Sequence, residues 1–255
     1  MGRQVELSQP PQRIISLVPS QTELLADMGL TNRLVGITKF CVHPPELKIK
    51  CTVIGGTKNL HLDRIHSLKP DLIIGNKEEN EKSVIEELQL HYPLWMSDIH
   101  DLSQALEMMT AVGHVCQVEE NASQLTREIQ LEFDTLQPFK RPLKVAYLIW
   151  QKPFMGAGAN TFIHNMLTRL GWKNVLENLP GRYPEFSPEF LLNANPDLVL
   201  LSSEPYPFAE QHCMEWKQRL PQTQVLLADG EMFSWYGSRL RFSPAYFREL
   251  MSRIG

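Results

Sequence analysis

The chain has 255 residues, 43% apolar and 21% charged, with a net charge of −4. That composition is globular, with length for one large domain or two modest ones. The slightly acidic balance excludes nucleic acid as an electrostatic partner, and no apolar stretch approaches the ~20 residues of a membrane helix.

The opening segment, MGRQVELSQPPQRIISLVPS, holds no long apolar core before a small-residue cleavage site. It reads as a mature chain whose leader has been removed, or as the start of a cytoplasmic protein. Next comes RIISLVPSQTELLADMGL (13–30): an apolar β-type run, a loop and a helical pattern. Thr22 is placed as its N-terminal cap and Gly29 as its end. LDRIHSLKPDLIIG (62–75) reads as a short helix, a Pro-Asp break and a strand, and YPLWMSD (92–98) as a further strand.

Residues 117–137 carry apolar side chains at Val118, Ala122, Leu125, Ile129, Phe133 and Leu136. This spacing predicts an amphipathic helix with one apolar face, about 30 Å long at ~1.5 Å per residue. It has no Gly and no Pro before Pro138 and Pro142, unlike a flexible tether.

The first pattern then returns. KVAYLIWQKPFMGAGANTFIHNMLTRLGW (144–172) repeats strand, loop and helix, with Thr161 as cap and Gly171 as end. PEFLLNANPDLVLL (188–201) repeats the Pro-Asp break, and TQVLLAD (223–229) the last strand. Asp71 and Asp197 stand 126 residues apart, about half the chain. Short apolar runs alternating with helices predict parallel strands covered on both faces. The expected fold is therefore α/β: two doubly wound parallel-sheet, Rossmann-like lobes, 1–115 and 139–255. A single long α-helix at 116–138 joins them, with the ligand cleft between the lobes, where open α/β sheets bind.

Enzyme signatures are missing. GAGAN (156–160) lacks the third glycine of a dinucleotide loop, and neither G-x-S-x-G nor G-K-[ST] occurs. Four cysteines without a Cys-x-x-Cys pair read as buried thiols, with a Cys41–Cys51 disulfide left open. The eight histidines form no H-E-x-x-H and read as surface or cap residues. The alternatives are a directly His-bound metal, or an imidazole from His43 or His61 reaching a metal already held in an organic chelate.

The loops after the expected strands are richer. They present Phe40, Trp150, Phe154, Tyr183, Trp235 and Tyr236, interleaved with Lys39, Lys58, Lys77, Arg182, Arg239 and Arg241. Aromatic walls with cationic rims suit a large, flat, partly anionic ligand. Trp150 is expected to be a core anchor more than Tyr183 or Trp235. Asp63 and Glu189 each stand eight residues before a Pro-Asp aspartate, at the start of matching helices. Helix-dipole complementation explains such acids, and so does a pair placed to meet a two-fold partner.

RIISLVPSQTELLADMG, HPPE, NLHLDRIHSLKPDLII and the Pro-Asp echo resemble the helical-backbone (class III) solute-binding proteins of ABC importers, especially the cobalamin- and ferric-siderophore-binding group. The resemblance covers nearly the whole chain from Arg13. It implies no catalysis and no resident cofactor, though the ligand can itself carry cobalt or iron. It implies a monomer outside the cytoplasm, periplasmic or lipid-anchored, that captures a metal chelate and delivers it to paired permease subunits. Carried over by position, Asp63 and Glu189 fall on the family's docking acids. Phe40, Lys58, Lys77, Phe154, Tyr183, Trp235, Tyr236 and Arg239 fall on or beside its ligand loops. The cobalamin pattern has a tryptophan shortly before N-L-x-L-[DE]-R, where this chain has IGGTKNL. A corrinoid, a ferric siderophore and haem therefore all stay open. The missing leader leaves a cytoplasmic relative, enzyme or chaperone, as the alternative.

Overall fold

The apolar runs of the N-terminal half form a five-stranded parallel sheet: β1 (Ile14–Ser16), β2 (Leu34–Ile37), β3 (Thr52–Val53), β4 (Leu72–Asn76) and β5 (Leu94–Ser97). The strand order is β3-β2-β1-β4-β5. The order reverses between β1 and β4, which places the switch point of the sheet at their C-terminal ends. The helices are α1 (Pro19–Asp27), α2 (Leu47–Lys50), α3 (Leu62–Leu68), α4 (Lys82–Leu88), α5 (Leu102–Cys116) and α6 (Glu119–Asp134). The computed structural model describes Val5 and residues 7–254, in two units. Unit 1 runs to Ile99 and adds Ser103–Gln130 and Tyr236–Arg239; unit 2 comprises His100–Leu102, Leu131–Trp235 and the chain from Leu240.

Unit 2 is built on β6 (Lys144–Trp150), β7 (Met155–Gly156), β8 (Lys173–Asn174), β9 (Leu198–Ser202) and β10 (Gln224–Ala228). β10, β9, β6 and β8 are parallel neighbours, whereas β7 pairs antiparallel with β6. Its helices are α7 (Phe162–Arg169), α8 (Pro188–Ala194), α9 (Glu210–Arg219), α10 (Gly230–Ser234) and α11 (Ser243–Ser252). Val145–Leu148 and Leu198–Leu201 are wholly buried, as central parallel strands covered on both faces must be.

The Pro-Asp echo has one physical meaning in both units. Helices α3 and α8 are each seven residues long and end on a left-handed residue, Lys69 (φ 46°) or Asn195 (φ 46°). The proline that follows cannot continue the helix. The aspartate then ties the new strand to the start of the first one. Asp71 accepts from the backbone N–H groups of Gln12 and Arg13 at 2.7 and 2.8 Å, and Asp197 from that of Lys144 at 2.8 Å. The basic side chains answer in kind: Arg13 donates to the Leu68 carbonyl (2.9 and 2.7 Å) and Lys144 to that of Ala194 (3.3 Å). Asp71 holds two charge-assisted bonds where Asp197 holds one. We expect Asp71→Ala to cost about 2 kcal/mol and Asp197→Ala about 1, discounted for water reaching the freed N–H groups. Urea midpoints check this, and an unshifted midpoint for Asp71→Ala contradicts it.

Thr161 caps α7, accepting from the His164 N–H at 3.1 Å. Gly29 and Gly171 adopt φ of +83° and +75° after α1 and α7, as their placement at helix ends required. Thr22 is not a cap. Pro19 opens α1 three residues earlier, and the buried Thr22 hydroxyl donates back to the Val18 carbonyl (3.0 Å) from inside the helix. The helix expected at 117–137 is α6, shorter at both ends. Ala122, Leu125, Ile129, Phe133 and Leu136 are all buried. Its first twelve residues belong to unit 1 and its last four to unit 2. α5 precedes it, and the two helices touch where a Cβ on Gly113 would come 2.3 Å from that of Ala122.

All four cysteines are buried free thiols. Burial pushes each thiol up, Cys116 to about 12.

Candidate functional site

In unit 1 the polar side chains gather at the C-terminal ends of β1, β4 and β5. Asn76 closes β4 and donates its side-chain amide to the Ser97 Oγ (3.0 Å), while the Asn80 side-chain Oδ1 accepts from the Asn76 backbone N–H (2.9 Å). Asn80 also donates to the Thr57 carbonyl (3.1 Å), and Gln21 on α1 donates to Ser97 Oγ (2.7 Å). Asn76, Asn80, Ser97 and Gln21 are buried, so this network sets the loops rather than meeting solvent.

Phe40, Lys58 and Lys77 stand on those loops. Phe40 is 50% exposed, with the Lys39 ammonium 5.0 Å from its ring centroid and Gly56 leaving room for the ring edge. Lys58 donates to the Glu78 carbonyl at 2.6 Å, and Lys77 pairs with Asp98 at 2.7 Å. Tyr236 and Arg239 also lie in unit 1, but both are largely buried, and Arg239 grips the Glu23 carboxylate on α1.

In unit 2, Phe154 is half-buried, stacked on Phe186 (6.2 Å) and edge-on to Trp216 (5.1 Å). Tyr183 is half-buried in the loop before Pro184. The two tryptophans exchange their expected places. Trp150, at the end of β6, is 38% exposed, its indole N–H donating to the Lys152 carbonyl (3.1 Å). Tyr206 packs against it edge-on at 5.6 Å and is itself held by Gln151, to which its hydroxyl donates. Trp235 is buried, and its indole N–H donates to Glu204 at 2.8 Å. Burial pushes the Glu204 carboxyl up, against the pull of the hydrogen bonds it accepts from Trp235 and Ser234.

Asp63 is the second residue of α3 and Glu189 the second of α8, and both are exposed. Glu189 is held below the usual carboxylate range by its own backbone N–H and by Ser187, which also caps α8. α3 has no side-chain cap. Among the described residues no three His, Cys, Asp or Glu side chains stand close enough to share a metal ion. His61 is exposed at the N-terminal boundary of α3. Sequence reasoning missed the Glu23–Arg239 pair and the Asn76–Asn80–Ser97 network. Glu23 lies inside the segment RIISLVPSQTELLADMG, but nothing local marks its partner.

The chain was compared with known proteins. The family model described as periplasmic binding protein matches residues 14–225. A vitamin B12-binding protein of Pectobacterium carotovorum is 27% identical over 236 residues, covering 90% of this chain and 84% of its own. Among solved structures, the periplasmic vitamin B12 binding protein BtuF of Vibrio cholerae superposes with a TM-score of 0.77 at 21% identity, covering 96% of this chain and 99% of that one. A periplasmic heme binding protein from Pseudomonas aeruginosa gives 0.78 at 20% identity, covering 94% and 92%. With more than three quarters of its length matched by the family model, the chain belongs to the periplasmic binding protein family.

Proposed function

We propose that the protein is the substrate-binding component of an ABC-type importer, capturing a metal chelate outside the cytoplasm and handing it to a membrane permease. The chelate class is a corrinoid, haem or ferric siderophore. The observation that carries this reading is the family match across residues 14–225. Curated relatives named for vitamin B12 binding, and a Bacillus subtilis relative named as an ABC transporter substrate-binding lipoprotein, support it.

Phe40, Phe154 and Tyr183 supply ring faces, and Lys58 and Lys77 meet the ligand's anionic groups, after exchanging their present partners for it. Such rings give contact area at low entropy cost. Trp235, Tyr236 and Arg239 are too buried to add much contact, and they back the loops instead. Asp63 and Glu189 dock on permease arginines, where carboxylate and guanidinium pair in a directional fork. The protein acts as a monomer and transforms nothing.

Thermal unfolding with cyanocobalamin, hemin and a ferric hydroxamate siderophore tests the assignment. A ligand at 100 times its Kd stabilises the native state by about 2.7 kcal/mol, a shift of several degrees. No shift and no tryptophan quenching with any of the three overturns the reading.

A further inference from the structure

Residues Tyr236–Arg239 form a strap that the C-terminal half of the chain lends to unit 1. Gly237 lies so close to α1 that a Cβ would stand 2.4 Å from the Ser20 carbonyl oxygen. Ser238 is fully buried. Arg239 then holds Glu23 with two bonds, Nε at 2.9 Å and Nη2 at 2.7 Å, the side chains being only 11% and 9% exposed. A guanidinium–carboxylate fork is directional, and a buried ion pair is better suited to fixing registry than to adding net stability.

The residues beside Glu23 lead to the ligand loops. Gln21 donates to Ser97 Oγ (2.7 Å), and the Ser97 carbonyl accepts the Lys77 backbone N–H (2.9 Å). Thr22 Oγ1 lies 3.0 Å from the sulfur of Cys41, the neighbour of Phe40. One helix, α1, therefore carries the strap at Ser20 and Glu23 and the loop anchors at Gln21 and Thr22.

We propose that Glu23 is a positioning residue for ligand capture: by gripping Arg239 it seats the strap on α1, and α1 so held fixes the loops bearing Phe40 and Lys77. The capture half of this assignment rests on the function proposed above; the seating of strap and loops does not. Arg239 acts on Glu23 and not on the ligand.

The charged or titratable groups acting on Glu23 are Arg239, His43 and Asp27. Burial pushes its carboxyl up; the Arg239 hydrogen bond and charge and a His43 charge pull it down, and Asp27 adds to the rise. A raised folded value contributes stability that is complete below the unfolded value and fades as pH rises through the folded one. The fold as a whole therefore loses stability as pH rises through that raised range, whereas the Arg239 grip itself favours the ionised carboxylate. Glutamine at 23 keeps an acceptor, carries no charge and removes the dependence.

Hydrogen–deuterium exchange of the full chain, corrected for intrinsic rates, reads the strap and both loops. Titration with cyanocobalamin, hemin and a ferric hydroxamate siderophore reads capture. Glu23→Ala is expected to speed exchange at 236–239, 38–41 and 76–80 by at least ~10-fold and to weaken the probe that the native protein binds by a similar factor. Glu23→Gln restores most of the protection but not the pH profile. Arg239→Lys, which keeps the charge and loses the fork, moves in the same direction as Glu23→Ala and serves if that variant does not fold. Native exchange at 236–239 in both Glu23→Ala and Arg239→Lys overturns the proposal. So does a loosened strap with unchanged loops, or with unchanged affinity for a probe that binds. Loosened strap and loops in a protein that binds none of the three probes overturn the transport reading, while the seating role of Glu23 is upheld.

Discussion

Replacing Asp63 and Glu189 together with alanine is expected to abolish uptake through the permease while ligand affinity stays within about twofold of native. Both acids stand in the first turn of short helices with exposed side chains, Asp63 five residues after Lys58 and Glu189 six after Tyr183, on the helices and not in the aromatic loops themselves. Neither side chain supports the fold through a core contact, so truncation to alanine leaves each unit intact. An acid paired with a desolvated arginine across an interface dominates the off-rate when removed, and losing two of them weakens docking by at least ~100-fold. The single variants should be graded. Its own backbone N–H and Ser187 hold Glu189 below the usual carboxylate range, so uptake that depends on it is expected to persist to lower pH than uptake that depends on an ordinary carboxylate. Transport of labelled ligand into proteoliposomes, alongside calorimetric titration of the binding protein alone, separates the two effects. Lost ligand binding in the double variant means that these acids are not docking residues.

Phe233→Ala should destabilise unit 2 by about 3–5 kcal/mol, the usual cost of emptying a phenylalanine site in a packed core. Phe233 is completely buried on α10, with its ring 4.9 Å from that of Tyr147 on β6 and 4.8 Å from that of Phe247 on α11. Tyr147 is itself wholly buried with its hydroxyl donating to Ser202, so it has little freedom to collapse into the void. Phe233→Leu keeps most of the volume and should cost less than ~2 kcal/mol. Urea denaturation followed by aromatic circular dichroism gives both values. A loss below ~1 kcal/mol for the alanine variant contradicts a tightly packed cluster here.

Much of the architecture was legible because it is written locally. Strands β1, β4, β6 and β9 are short apolar runs bounded by proline, glycine or aspartate. From Ala122 to Phe133 the stripe follows one face of α6 and is buried throughout, while Val118 and Leu136 fall just outside that helix. α5 carries the same sign in Ala105, Met108, Met109, Val112 and Cys116, but went unread beside its stronger neighbour. What failed depends on distant partners. Nothing near Trp235 tells that Glu204, thirty-one positions earlier, accepts its N–H, nor that Trp150, ending a buried strand, turns outward. Arg239 looked like a rim cation because its loop is polar; its carboxylate partner is 216 positions away. Thr22 looked like a cap because the proline before it reads equally well as a breaker and as a first helical residue.

The lending of Tyr236–Arg239 to unit 1 also bears on the order in which the molecule is assembled. Of the site that Ser20 and Glu23 offer, Glu23 is synthesised 216 positions ahead of Arg239, which completes it. In a nascent chain, unit 1 therefore stays incomplete until Arg239 has been made. Cutting the gene within α6 should accordingly give two fragments that mature only when expressed together.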